Sequence, residues 1–180
     1  MLSLLPDFAD PLRLCALGKS YQGTVALAVL PRLAPLLTSS EGEAAFVLAF
    51  DTDAERRPVV SVSVAARLAL RCQRCLQPMM VDVDSSSRLA VVSGPDQAER
   101  LPEELEPLLV EDGNLELRSL IEDELILAVP SAPLHAPVDC EVDLNELNRF
   151  DGDDSAQSDD LRESPFAALA KLKNDLGKDE

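Results

Sequence analysis

From Pro58 to Cys72 the even positions read Val60, Val62, Val64, Ala66, Leu68 and Leu70, while the odd ones include Ser61, Ser63, Arg67 and Arg71. A period of two, with β-branched residues on one side, is the signature of a long strand buried on one face. A second run follows after a short break. Over Met79–Val92, the residues Met79, Val81, Val83, Leu89 and Val91 alternate with Asp82, Asp84 and Arg88. The break itself is Cys72-Gln73-Arg74-Cys75-Leu76-Gln77-Pro78, so a CxxC sits on a strand-to-strand turn. Glu43–Phe50, with Phe46, Leu48 and Phe50 on one side, predicts another strand, and Tyr21–Val29 a fourth, entered through Gly23.

Beyond these strands the period changes. Leu117, Leu120, Ile121, Leu125 and Ala128 recur at helical spacing, while Glu116, Glu122 and Asp123 face elsewhere, and Pro130 stops the pattern. This predicts an amphipathic helix over about 115–129. The next stretch, PSAPLHAPVDC over 130–140, has three prolines and reads as a loop or extended segment. Together these features predict an α+β fold. Its expected form is a bent antiparallel β-sheet covered by one main amphipathic helix, in a single domain over 1–140, β-rich over 20–92. An acidic flexible segment is expected over 141–163. A short helix is expected over 164–175, with Ser164 as N-cap and Pro165 at its first position. Phe166, Leu169 and Ala170 would form the docking face of that helix.

Charge divides the chain. The formal net charge is −17, and residues 91–180 carry all of it, with 7 Lys+Arg against 24 Asp+Glu. Residues 1–90 balance at 9 of each. Binding along a phosphate backbone relies on Lys and Arg displacing counterions, so the charge argues against wrapping RNA. Five Phe, one Tyr and no Trp leave little for base stacking. The acidic half is suited to a basic protein, with Glu122, Asp123 and Glu124 on the helix and Phe166 and Leu169 near the C-terminus as expected contacts. Arg67, Arg71 and Arg74 flank the CxxC and would either face RNA phosphate or be ordinary surface arginines. The start, MLSLLPDFADPLRL, has no basic stretch before an apolar core, and no run is long enough to span a bilayer, so a cytoplasmic location is expected.

In a reducing compartment the four cysteines are expected to be thiols or metal ligands. Cys72 and Cys75, joined by His135 and Cys140, are donors of the types that hold zinc tetrahedrally. The alternative is that Cys72 simply ends the apolar strand face as a buried thiol. A redox dithiol would require a strand–helix setting, and both flanks here are strands. With one histidine, and no nucleophile elbow, phosphate-binding loop or HExxH motif, a non-enzymatic role is expected.

Several blocks resemble the YceD-like family, bacterial proteins known for accumulation of the large ribosomal RNA subunit. They are Arg71–Pro78, the acidic helix Leu120–Pro130, the Pro133…His135…Cys140 loop, and Ser164-Pro165-Phe166 through Leu169 to Lys173. Asp10-Pro11 and Tyr21-Gln22-Gly23 agree as well. The resemblance implies a role in synthesis, processing or stability of large-subunit (23S) ribosomal RNA, and it supplies no active site. Other branches carry further cysteines in the C-terminal part, where this chain has only His135 and Cys140. The expected partner is a large-subunit precursor, met through a basic ribosomal protein or assembly factor. A thiol- or metal-responsive protein using the CxxC, and an acidic chaperone for a basic client, are the alternative readings.

Overall fold

The computed structural model describes residues 5–110, 113–140 and 142. One unit closes at Met1–Val142. The elements run β1 (Phe8–Ala9), α1 (Pro11–Ala16), β2 (Ser20–Ala26), β3 (Glu43–Thr52), β4 (Pro58–Arg71), β5 (Pro78–Val92), α2 (Pro95–Ala98), β6 (Glu106–Leu109), β7 (Leu115–Glu116) and α3 (Leu117–Ala128). The fold is α+β with a mostly antiparallel sheet, ordered β2-β3-β4-β5-β6. Strands β2 to β5 form an antiparallel meander, and β1 pairs separately with β7.

The alternation read along β4 survives in register. Val60, Val62 and Val64 lie opposite Phe50, Leu48 and Phe46 of β3, so the large side chains of both strands share one face. All six are buried in the main core, with Leu68 and Leu70 continuing the row toward the turn. Helix α3 packs on β4 and β5, and α1 on β3 and β4. Leu117, Leu120, Ile121 and Leu125 supply the buried stripe of α3. The opposite face of the sheet is fitted with small or polar side chains such as Ala45, Ser63, Ala65 and Ser86, and at one end Val59 and Ala90 are buried there under Leu101 and Leu105, from the segment between α2 and β6.

Three features were not expressed in the periodicity. Asp10 caps α1 by accepting from the Arg13 amide at 3.1 Å, with Pro11 at the first helical position. The expected strand over Tyr21–Val29 ends at Ala26, and Leu27–Val29 turns into a 3-10 segment. At the far edge β6 pairs with β5 in parallel, reached through α2, so the sheet is not wholly antiparallel. The expected segments over 141–163, apart from residue 142, and 164–175, with Phe166 and Leu169, lie outside the described residues. Among those described, no helix is long and apolar enough to cross a membrane.

The acidic surface expected on α3 is corrected by burial. Glu122 and Glu124 are only 3% and 6% exposed. Glu122 accepts the backbone N–H groups of Arg32 and Leu33 at 2.6 and 3.0 Å, and pairs with the Arg32 guanidinium at 3.0 Å. Glu124 accepts the hydroxyls of Ser85 and Ser87 on β5, both at 2.6 Å. Both carboxylates are therefore spent inside the fold, where an unpaired charge would be costly. Asp123 is half-exposed and also engaged, at 2.6 Å from Arg32.

Candidate metal centre

The even-numbered row of β4 does not stop at Leu70. Cys72 takes the next inward position and is fully buried. The chain then reverses. The Cys72 amide donates to the Gln77 carbonyl at 2.9 Å and the Leu76 amide to the Cys72 carbonyl at 3.0 Å. Leu76 takes a left-handed backbone, φ 63°, which lets so short a turn close before Pro78 opens β5. Non-glycine residues seldom adopt that conformation, so the surrounding hydrogen bonds must hold it.

The second pair of donors arrives through prolines. Pro130 follows the end of α3 and keeps the chain from continuing as helix. Pro133 is buried and its carbonyl accepts the Gln73 amide at 2.8 Å, docking the post-helix segment on the turn. His135 follows, with its own amide directed at Cys72 Sγ, 3.5 Å away. Pro137 opens a 3-10 turn over Pro137–Asp139 that delivers Cys140. The loop between His135 and Cys140 is thus compact, although its sequence spacing is wider than a zinc knuckle.

The four donors Cys72, Cys75, His135 and Cys140 come together here, their ligand atoms all within 4.8 Å of one another. Cys75 Sγ lies 3.3 Å from His135 Nδ1. Cys72 Sγ also receives the Arg74 amide at 3.4 Å. Burial pushes the Cys72 thiol up. The amides of Cys75, His135 and Arg74, with the Cys75 side chain, outweigh it and bring that thiol down to about 5. Cys75 goes the other way. The Gln77 amide pulls its thiol down, but burial and the neighbouring sulfurs of Cys72 and Cys140 push it up. Cys72 is thus favoured as a thiolate while its neighbour Cys75 resists ionisation. The fourth cysteine, Cys15, stands apart on the buried face of α1, donating to the Val59 carbonyl at 3.5 Å.

The arginines do not converge in the same way. Arg67 and Arg71 project from the polar face of β4, four residues or about 13 Å apart along an extended strand. Arg67 reaches Asp82, its cross-strand neighbour, at 3.6 Å. Arg74 is half-buried in the turn and contributes its backbone amide to Cys72. Sequence reasoning missed the two buried carboxylates of α3. A signal for one was present: Ser85 and Ser87 occupy inward positions of β5, where hydroxyls need a polar partner.

Residues 60–173 match the family model described as large ribosomal RNA subunit accumulation protein YceD. The Haemophilus influenzae protein of the same description is 33% identical over 171 residues, spanning 94% of this chain and 96% of that protein. No solved structure matches the chain.

Proposed function

We propose, from the premise that this chain belongs to the YceD family of large ribosomal RNA subunit accumulation proteins, that it supports accumulation of large-subunit (23S) ribosomal RNA by binding rather than by catalysis. The observation that carries the reading is the likeness to the Haemophilus influenzae protein over nearly the full length of both chains. The binding mode is supported by how the chemistry-bearing groups are used. His135, the one histidine of the sequence, lies against Cys75 in the cysteine cluster, and the two buried carboxylates of α3 are held by Arg32 and by serines. Acid–base or nucleophilic chemistry needs such groups aimed at a substrate in a cleft, whereas here they are engaged by other groups of the protein.

The partner is a basic protein of the large-subunit precursor, a ribosomal protein or an assembly factor. A net charge of −17 attracts such a partner over several ångströms and repels bare RNA. The contact does not use Glu122 or Glu124, which are buried. Exposed Glu99, Glu103, Glu104 and Glu106, around α2 and the start of β6, remain available on the described surface. Sedimentation of cell extract through a gradient at low salt tests this. The protein should travel with large-subunit precursors, survive mild nuclease on a basic protein, and be released as salt rises. Its deletion should lower large-subunit RNA. A protein that stays at the top of the gradient, with normal RNA levels in the deletion strain, would refute the proposal.

A further inference from the structure

The thiol–imidazole cluster needs a role that the RNA reading does not give it. We infer that Cys72, Cys75, His135 and Cys140 form a structural zinc site that clamps the β4–β5 turn to the segment following α3. The inference is independent of the ribosomal role.

Four observations carry it. First, the donor set is three sulfurs and one imidazole nitrogen, with no carboxylate among them. Soft thiolate ligands select zinc over magnesium or calcium, and four protein donors make a closed tetrahedral site, the structural rather than catalytic kind. Second, the size fits. A Zn–S bond of about 2.3 Å at tetrahedral angles places sulfurs about 3.8 Å apart. The four ligand atoms already lie within 4.8 Å of one another, and the Cys75–His135 pair at 3.3 Å. Third, the backbone is arranged for a thiolate. Cys72 Sγ faces two backbone N–H groups, from Arg74 and His135, as expected where sulfur carries negative charge. Fourth, the cluster joins segments far apart in sequence. Cys75 and His135 are 60 residues apart, and loop closure by a metal gains most where the loop is long.

The position explains what the metal does. Among the described residues, one backbone-to-backbone hydrogen bond, from Gln73 to Pro133, joins the turn to the post-helix segment. Leu76, Leu134 and Val138 beside it are exposed and add little burial. The apolar core thins out at this end, and the zinc ion takes over its task. On binding, the thiols that still hold protons release them, and the ion bonds to three sulfurs and His135 Nδ1. No oxidation state changes.

The test uses the full chain, purified without a histidine tag. Elemental analysis should find one zinc per chain, and a mercurial that attacks thiols should release it. Cobalt exchanged for zinc should show the visible bands of a tetrahedral thiolate site. Cys140→Ser should weaken zinc binding by more than about 100-fold, beyond what loss of an outer-shell partner costs. Cys15→Ser should leave it unchanged. Should a ligand-to-serine variant fail to fold, His135→Cys keeps the inference open to refutation. It should retain zinc while raising the sulfur-to-cobalt charge-transfer absorption. Zinc far below one per chain would overturn the site. So would equal affinity in Cys140→Ser, or a cobalt spectrum unmoved by His135→Cys.

Discussion

Replacing Glu122 by alanine should cost about 3–5 kcal/mol, the range for breaking a buried charged contact. The figure follows from where the carboxylate oxygens go. Oε1 accepts two backbone amides, Arg32 at 2.6 Å and Leu33 at 3.0 Å, while Oε2 accepts Arg32 Nε at 3.0 Å. Leu33 is fully buried, so truncation would strand its amide in the core. A buried donor left without a partner costs about 1–3 kcal/mol, and two are at stake. Glu122→Gln keeps an oxygen for both amides and gives up only the guanidinium. The Arg32 side chain is 49% exposed, so that half of the contact is partly open to solvent. The glutamine variant and Arg32→Ala should therefore each cost about 1–2 kcal/mol. Urea titration of the four proteins, with the slope m unchanged, measures these differences. Hydrogen exchange supplies a local readout: the Leu33 amide should lose protection in Glu122→Ala and keep it in Glu122→Gln. The reasoning is refuted if glutamine costs as much as alanine, since the charge and not the amide pair would then be what holds the loop.

Other outcomes follow from the same contacts. Removing both hydroxyls with Ser85→Ala and Ser87→Ala should destabilise by about 2–4 kcal/mol, and the penalty should shrink when Glu124 is already alanine, as a double-mutant cycle by urea titration would record. Leu68→Ala, at a fully buried position, should cost about 2–5 kcal/mol, against under about 0.5 kcal/mol for Leu127→Ala on the exposed side of α3. Asp53 closes the β3–β4 turn by accepting the amides of Arg57 and Glu55 and the Arg57 guanidinium. The Arg57 amide holds this carboxyl below its ordinary value; burial opposes it, and the Arg57 side chain and the Glu55 amide add to the lowering. Its stabilisation is then present above the unfolded carboxylate range and is lost as pH falls through the lower folded value. Acid melts should show that loss in the native chain and a flatter profile in Asp53→Asn.

The strands were legible because a half-buried strand must repeat every two residues, and Val60 through Leu70 do so without interruption. Pairing of β4 with β5 followed from the short turn between them. The parallel edge strand was not legible. Residues 95–105 show no period, and a parallel neighbour is chosen by where α2 returns the chain, not by an adjacent turn. Helix α3 was read correctly by its apolar stripe and wrongly by its acids. Glu122 and Glu124 count as polar in any periodicity, yet donors from Arg32, Leu33, Ser85 and Ser87 make their burial tolerable, and those lie elsewhere in the chain.

For the cysteine–histidine cluster the division is sharper. The sequence by itself determined the kind of donor, three thiols and an imidazole, and put two of them on a turn between strands. It also determined that the charge excess lies in residues 91–180, because charge counts do not depend on folding. Only the tertiary structure decided that the donors meet. The distance from Cys75 to His135 depends on β5, the packing of α3 across β4 and β5, and the bend set by Pro130 and Pro133, while the turn opened by Pro137 brings in Cys140. The same packing turned two acids of α3 inward. Residue type fixes what a group can do, and burial, which depends on residues scores of positions away, fixes whether it faces a partner or the core.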